Sequence, residues 1–231
     1  MNNKKKFAIV FGASGSIGKS VCKKLTIQKY NVFKISASSR RGYLNISNPL
    51  HLQRLKQNIK QNCSVVVWAQ GKNINDSIEN FKSSNLDVMF DANVRYILYS
   101  CQILLKEKLL SKNARMCIIS SIWQNLSRKN KLSYSITKSS LKGLVQSMSS
   151  DLAKYGISVN AILPGPIDNK MTRLNLTDKD LGSFINSTPY KKIVKASDVA
   201  EVVSWICSKQ AEGLSAQFIT LDYGYSNLRE V

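Results

Sequence analysis

Residues 7–18 read FAIVFGASGSIG, a short apolar run followed by a turn that contains three glycines. The apolar run predicts a buried β-strand over Phe7–Phe11. Val21 and Leu25 then recur at helical spacing, so a helix is expected over about residues 17–28. A strand, a glycine turn and a helix in this order favour a phosphate-binding turn, because backbone N–H groups at a helix start can cradle a pyrophosphate.

Strand and helix patterns alternate along the rest of the chain, with no internal repeat and no long linker. This alternation predicts an α/β fold: a doubly wound parallel sheet of the Rossmann type, three layers deep, in a single domain over residues 1–231. Further strands are expected at residues 31–35, 43–47, 65–69, 115–120, 157–163 and 217–221, and helices at 49–62, 84–110, 132–155 and from a cap at Ser197.

Two segments of the chain depart from the regular pattern. Only residues 36–42 separate the second and third predicted strands, fewer than the dozen or so that a parallel crossover usually needs, so this unit is expected to be shortened. Residues 168–195 are polar and weakly periodic, and they are interpreted as a mobile lid or loop near the substrate.

Composition excludes several classes of protein. The chain has 231 residues and a formal charge of +20, but its lysines are scattered, which favours biased residue usage over a nucleic-acid site. No apolar run approaches the ~20 residues of a membrane span, and the five apolar residues after Lys4–Lys6 are too few for a signal peptide, so a cytoplasmic location is expected.

Cysteine and histidine usage bears on metal sites and redox state. The five cysteines are odd in number and widely spaced, which is typical of reduced, buried thiols. His51 is the single histidine, so a histidine-based zinc site or a Ser-His-Asp triad is disfavoured, and no metal is expected.

Tyr134 and Lys138 lie one helical turn apart in the stretch SYSITK, residues 133–138. On a helix their Cβ atoms are about 5–6 Å apart. An ammonium at that distance is expected to stabilise a phenolate by about two pKa units, which would bring the tyrosine toward general acid–base catalysis. Taken alone, such a pair is common on helices by chance, and only its surroundings give it weight.

Those surroundings are the carboxyl ends of four predicted strands. Gly12, residues 69–71, Ser121 and residues 164–165 each follow a different strand. Ligands of doubly wound sheets bind outside these strand ends, so the side chains are expected to converge on one edge.

At this point the chain resembles the short-chain dehydrogenase/reductase family, over about residues 6–225. The resemblance is carried by the glycine turn at residues 12–18, Ala69-Gln70-Gly71, Asn93, Ser121, Tyr134 with Lys138, residues 164–167 and Leu221-Asp222-Tyr223-Gly224. Within the family the chain is similar to 3-oxoacyl carrier-protein reductases.

The resemblance implies an oxidoreductase that interconverts a carbonyl and a secondary alcohol by hydride transfer to or from a nicotinamide. It implies that Tyr134 exchanges the proton, that Lys138 lowers the tyrosine pKa and bonds the nicotinamide ribose, that Ser121 bonds the substrate oxygen, and that Asn93 holds a relay water. The cofactor residues it implies are Gly12, Ser14, Gly15, Ser16, Ile17, Gly18, Ser36, Arg40, Asn45, Ile46, Ala69, Gly71, Tyr134, Lys138, Pro164, Gly165 and Ile167.

The end of the second strand bears on the choice of cofactor. NAD-binding folds usually place an acidic residue there, whereas this chain has Ser36, Ser38, Ser39, Arg40 and Arg41. Hydroxyl and guanidinium groups suit a 2′-phosphate, so NADP(H) is favoured and NAD(H) stays possible.

Substrate and partners remain open in the sequence. The basic lid fits either an anionic or carrier-bound substrate or a general basic bias, and the resemblance implies a homodimer or homotetramer built on the two long helices. A non-catalytic NADP-binding sensor or scaffold on the same fold is the alternative function.

Overall fold

The computed structural model describes residues 6–36, 45–59, 63–175 and 177–228. Within them, six strands form one sheet in which every neighbouring pair is parallel. The sheet order is β2-β1-β3-β4-β5-β6, which confirms the predicted doubly wound fold. The strands are β1 (Phe7–Phe11), β2 (Asn31–Ile35), β3 (Cys63–Trp68), β4 (Leu110–Ile119), β5 (Ser158–Pro164) and β6 (Phe218–Leu221).

Helices cover both faces of this sheet. The helices are α1 (Ser16–Ile27), α2 (Pro49–Ile59), α3 (Ser83–Phe90), α4 (Tyr96–Lys106), α5 (Leu132–Leu152), α6 (Lys170–Asn175), α7 (Asp178–Ser187) and α8 (Ala196–Ile206). Apolar side chains of α2, α4 and α5 form one core with the sheet, and those of α1 and α8 form a second core on the opposite face. Strands β1, β3 and β5 are almost wholly buried, because a parallel sheet covered on both faces has no solvent side.

The strand order reverses beside β1, which pairs with β2 on one side and with β3 on the other. Chain connections leave such a reversal in opposite directions, so a crevice opens outside the carboxyl ends of these strands. The glycine turn follows β1 directly, and it therefore lies at the mouth of this crevice.

The predicted strand over residues 43–47 is wrong for its described part. Residues 43 and 44 lie outside the described residues, and residues 45–47 run into a turn instead of joining the sheet. The Asn45 side chain accepts the Ser47 N–H at 3.0 Å, and the Asn48 side chain accepts the Leu50 N–H at 3.0 Å. These amides start α2, and side-chain capping of this kind competes with strand pairing.

The single long helix predicted over residues 84–110 is interrupted. A π-helical turn over residues 91–95 separates α3 from α4. Such turns often occur at functional sites, because the extra residue redirects a side chain. Here the turn contains Asn93, which is one of the predicted site residues. The chain from Leu110 onward belongs to β4, so that strand is longer than predicted.

The predicted lid is helical, not an irregular loop. Residues 168–195 contain α6 and α7, and α7 begins with a capping box in which the Thr177 hydroxyl accepts the Asp180 N–H at 3.1 Å. Asp168 accepts two hydrogen bonds from Arg173, at 2.7 and 2.8 Å. Local capping and pairing thus order a segment whose apolar pattern is too short to reveal a helix. The next helix, α8, is capped at Lys195 instead of Ser197.

Candidate active site

A cleft lies outside the carboxyl ends of the strands, as the sequence predicted. Its lining residues come from several elements. They include Ile17 of α1, Tyr134 of α5, Pro164 at the end of β5, and Ser121 and Ile167, which follow β4 and β5. The mouth of the cleft faces α6, which contributes Met171 and Thr172. The structure therefore brings the glycine turn, the predicted catalytic residues and the lid region to one place.

The predicted tyrosine and lysine lie on the inner face of α5. Tyr134 is 8% exposed and lines the cleft, and Lys138 is 4% exposed. The Lys138 Nζ lies 5.7 Å from the centroid of the Tyr134 ring and donates a hydrogen bond to the Ile119 carbonyl at 3.1 Å. That carbonyl is at the end of β4, so the strand end fixes the ammonium beside the phenol.

Ser121 follows β4 and lines the cleft together with Tyr134. Its Oγ accepts the Trp123 N–H at 3.3 Å. Ser121 is the cap of a short 3₁₀ turn over residues 122–124, which holds the serine in an extended backbone conformation. A hydroxyl beside a phenol gives the cleft two donors that can contact one substrate oxygen.

Burial, not the lysine charge, dominates the titration of this pair. Burial raises the pKa of Tyr134 to about 12, and the nearby Ser121 hydroxyl opposes that rise. Burial also lowers the pKa of Lys138 to about 8. The Tyr134 pKa is thus raised by burial, whereas the spacing from Lys138 predicted a lowering.

Asn93 lies behind this pair, in the π-helical turn. Its Oδ1 accepts the Lys72 N–H at 2.7 Å, and its Nδ2 donates to the Lys72 carbonyl and to the Thr137 Oγ1, each at 3.0 Å. A Cβ added to Gly71 would lie 3.2 Å from the Asn93 Oδ1 and 3.9 Å from the Lys138 Nζ. Gly71, Asn93 and Lys138 therefore meet, as predicted, although the amide is already engaged by protein groups.

Two of the three glycines in the turn leave no room for a Cβ atom. Gly12 has φ +70°, and a Cβ there would lie 2.4 Å from the Gln70 nitrogen. A Cβ on Gly18 would lie 2.2 Å from the Gly12 carbonyl oxygen. Gly15 is the cap residue of α1 and supplies no side-chain cap, so the first N–H groups of α1 face the turn. The turn is the close-packed backbone cradle that a pyrophosphate needs.

Other predicted cofactor residues surround this turn. The Ser14 and Ser36 hydroxyls share a hydrogen bond of 2.9 Å, which joins the turn to the end of β2. Asn45 is half-buried, and its Oδ1 is engaged by Ser47. The Ile46 side chain is buried in the core. Arg40, on which much of the NADP(H) preference depends, lies outside the described residues, as do Ser38, Ser39 and Arg41.

Two residues at the cleft were missed by sequence reasoning. Gln70 follows β3, and both polar atoms of its side-chain amide are buried without a hydrogen-bond partner in the described structure. Lys131 is 4% exposed and lines the cleft, and its Nζ lies 5.7 Å from the Tyr134 ring centroid. Its position three residues before Tyr134 was the signal, since that spacing places it at the same end of α5.

Residue types that could indicate other chemistry have structural roles here. His51 accepts the Asn45 N–H at 2.9 Å, at the start of α2. All five cysteines are free and buried. Within the described ranges, no group of three His, Cys, Asp or Glu residues could hold a metal ion. No helix in the same ranges has both the length and the apolar character to cross a membrane.

Comparison with known proteins gives a consistent result. A family model described as enoyl-(acyl carrier protein) reductase matches residues 38–226. The 3-oxoacyl-(acyl-carrier-protein) reductase FabG of Buchnera aphidicola subsp. Baizongia pistaciae is 24% identical, over 97% of this chain and 98% of that protein. The reductase of the same name from Staphylococcus epidermidis is 25% identical, over 95% of this chain and 98% of that protein.

Solved structures show the same architecture. The ligand-free aldohexose dehydrogenase of Thermoplasma acidophilum superposes with a TM-score of 0.86 at 22% identity, over 98% of this chain and 96% of that one. A short-chain dehydrogenase family protein from Francisella tularensis has a TM-score of 0.82 at 21% identity, over 97% of this chain and 100% of that one. At these identities the superpositions show the fold alone.

Proposed function

Because the chain belongs to the short-chain dehydrogenase/reductase family, we propose that it reduces a carbonyl to a secondary alcohol with a nicotinamide cofactor. The observation that carries this proposal is that Ser121 and Tyr134 line one cleft with Ile17 of the glycine turn, while the Lys138 ammonium lies 5.7 Å from the Tyr134 ring centroid. A nucleotide-binding scaffold would have no need of a phenol, a hydroxyl and an ammonium grouped at the strand ends.

The cleft contains two hydroxyl groups that suit the reduction of a carbonyl. Burial raises the pKa of Tyr134, so the phenol is protonated at neutral pH and can donate a proton to an oxygen that gains negative charge. Ser121 lines the same cleft, and its hydroxyl can donate to the same substrate oxygen. The Lys138 ammonium, fixed by the Ile119 carbonyl, stabilises the phenolate that remains after proton transfer.

The residues around the turn fit a dinucleotide. Gly12 and Gly18 form a cradle that a Cβ would fill, and the uncapped start of α1 can donate backbone hydrogen bonds to a pyrophosphate. The Gln70 backbone lies beside Gly12, and the buried side-chain amide of Gln70 can bond the nucleotide. When bound, the nicotinamide would supply or accept the hydride.

We propose NADP(H) as the cofactor, with Arg40 contacting the 2′-phosphate. The support is the hydroxyl and guanidinium composition of residues 36–41 and the absence of a carboxylate among them. Replacing Arg40 with Ala is expected to weaken NADPH binding about 10- to 100-fold and leave NADH binding unchanged. Lys23→Ala, which removes an exposed charge from α1, is the matched control, and equal losses for both cofactors would contradict the assignment.

The lid region supports a small-molecule substrate more than a docked carrier protein. Arg173, a basic residue of the lid region, already donates to Asp168 at 2.7 and 2.8 Å and to Asp178 at 3.1 Å. A cation held by two carboxylates is a weaker docking point for an acidic surface.

We also propose a homodimer or homotetramer that uses the outer faces of α4 and α5. Leu98 and Tyr99 are 48% and 62% exposed on α4, and they line an open groove with Met148 and Leu152 of α5. Apolar side chains in such a groove are typical of an interface. Light scattering on the purified protein would test this, and a monomer at micromolar concentration would contradict it.

A cofactor titration followed by a carbonyl screen tests the function itself. We expect tighter binding of NADPH than of NADH, and consumption of NADPH with at least one class of ketone. Failure to bind either nucleotide would contradict the proposal, whereas binding without turnover across the screen would favour the scaffold alternative.

A further inference from the structure

Lys131 has no part in the hydride and proton transfers proposed above, yet it is buried in the wall of the same cleft. It is the residue before the first turn of α5, three positions before Tyr134. Its Nζ lies 5.7 Å from the Tyr134 ring centroid. A second buried ammonium beside the reactive phenol needs an explanation of its own.

The hydrogen-bond partners of this ammonium are neutral. The Lys131 Nζ donates to the Asn73 Oδ1 at 3.0 Å and to the Asn75 Oδ1 at 2.6 Å. An ammonium has three donors, so one remains beyond these two bonds. Within the part of the chain that the structure describes, no carboxylate forms an ion pair with Lys131, although a buried charge is normally paired.

The nearest carboxylate is engaged elsewhere. Asp76 is buried, and it accepts the Ser133 N–H at 3.0 Å and a short hydrogen bond from the Ser133 hydroxyl. Asp76 thereby satisfies the start of α5, and its charge only partly offsets the effect of burial on Lys131. Asp76 therefore bonds the start of α5, and the hydrogen-bond partners of Lys131 are the amide oxygens of Asn73 and Asn75.

The cleft around Lys131 is positively charged. Its described lining residues include Arg128 and Lys131 and no aspartate or glutamate. Arg128 lies 3.7 Å from Asp180. Asp180 does not line the cleft but lines an adjoining groove. An anion that enters the cleft would therefore meet two cations and no carboxylate among the described lining residues, and would offset the desolvation cost of the buried lysine.

We propose that Lys131 binds a carboxylate of the substrate, and that the substrate is an oxo acid. Because the ammonium and the Tyr134 phenol face one narrow cleft, the carboxylate and the reacting carbonyl must be separated by only a few bonds. A neutral ketone or thioester that displaced water from the cleft would leave the charge of the Lys131 ammonium without an anionic partner. This inference rests on the proposed carbonyl reduction for the reaction, but binding of the acid does not depend on turnover.

A structural role for Lys131 makes a different prediction. If the lysine only tied Asn73 and Asn75 to the start of α5, its loss would disturb the cleft for every ligand alike. If it binds a carboxylate, its loss affects the acid and spares a neutral analogue of the same shape. A matched acid and ester therefore separate the two roles.

The experiment measures binding in a complex that cannot react. With the protein saturated by NADP⁺, calorimetry gives dissociation constants for 3-oxobutanoate and for its methyl ester, in the wild type, Lys131→Met and Lys131→Arg. Lys129→Met is the matched control, since it removes an exposed lysine from the adjoining groove. Turnover of both compounds with NADPH is recorded separately, so that a failure of catalysis is distinguished from a failure of binding.

We expect the wild type to bind the acid about 10- to 100-fold more tightly than the ester, the range of one charge-assisted hydrogen bond. Lys131→Met is expected to abolish that preference and to change ester binding less than about threefold, Lys131→Arg to restore part of it, and Lys129→Met to retain it. The proposal is overturned if the wild type shows no preference, if neither compound binds, or if Lys131→Met weakens both equally.

Discussion

Substitution of a single residue is most restricted where two backbone segments of this protein pack against each other. Gly18 packs against the carbonyl of Gly12, with 2.2 Å to an added Cβ, whereas Gly143 on the exposed face of α5 has no atom within 4 Å of that position. Both glycines lie in helices, so a comparison of alanine substitutions at the two positions separates the effect of packing from that of helix propensity.

Gly18→Ala and Gly143→Ala are expected to have opposite effects. Gly18→Ala should lower the free energy of unfolding by about 1–3 kcal/mol and weaken nucleotide binding, because the turn must open to admit a methyl group. Gly143→Ala should raise stability by about 0.5–1 kcal/mol through helix propensity. Urea unfolding of both variants checks this, and a tolerated Gly18→Ala would contradict the close packing of the turn.

At the residue level, the sequence predicted that Tyr134, Lys138 and Ser121 lie near one another, because helical spacing and strand ends fix their positions; their catalytic roles stay predictions. Sequence reasoning failed for the electrostatics of Tyr134. The pKa of Tyr134 depends on burial, which a Coulomb argument from sequence cannot supply. Lys131 was passed over for the same reason, since an isolated lysine in a basic chain gives no sign of being buried.

At the scale of elements, the start of α5 is the segment on which the site depends. Asp76 binds the Ser133 backbone and side chain, and the Leu132 N–H bonds the Asp76 carbonyl at 3.2 Å. These contacts fix the first turn of the helix, which carries Tyr134. A loop residue distant in sequence therefore sets the position of the phenol.

Asp76→Ala is expected to destabilise the fold by about 2–4 kcal/mol, since it removes two buried hydrogen bonds to a charged group. Turnover should fall as well, because the first turn of α5 loses its anchor. Asp151→Ala, at the exposed far end of the same helix, is the control and should stay within about 0.5 kcal/mol of the wild type. Equal stability of the two variants would contradict the anchoring role.

The elements that sequence misplaced were those controlled by local capping. Apolar periodicity found α1, α5 and all six strands, since these pack against the two cores. The turn at residues 45–48 was mistaken for part of a strand, and α6 and α7 for a loop, because side-chain caps at Asn48 and Thr177 decide these segments. The π-helical turn at Asn93 has no periodic signal that could reveal it.

At the scale of the whole molecule, the buried thiols link stability to pH. Burial raises the pKa of Cys63, Cys101 and Cys207 to about 12 and that of Cys22 to about 11, and it also raises the pKa of Cys117. An unfolded thiol titrates near 9. Between these values the folded state keeps thiol protons that the unfolded state has lost, so stability falls as pH rises.

The free energy of unfolding is therefore expected to decrease between about pH 9 and about pH 11. Lys131 and Lys138, whose pKa values are lowered to about 8, act in the opposite direction, but the five thiols outnumber them. Urea unfolding under reducing conditions across this range measures the slope, and Cys63→Ala should make it shallower. A stability that is flat or rises above about pH 9 would contradict the burial of the thiols.

The proposed reduction depends on one proton transfer from Tyr134, and Tyr134→Phe tests that most directly. The variant keeps the ring and removes the hydroxyl, and Tyr155→Phe, at an exposed tyrosine beyond the end of α5, is the control. With the best carbonyl substrate from the screen, we predict that Tyr134→Phe loses about 10²- to 10⁴-fold in kcat with NADPH binding retained, while Tyr155→Phe matches the wild type. A Tyr134→Phe variant that turns over within about tenfold of the wild type would contradict the account.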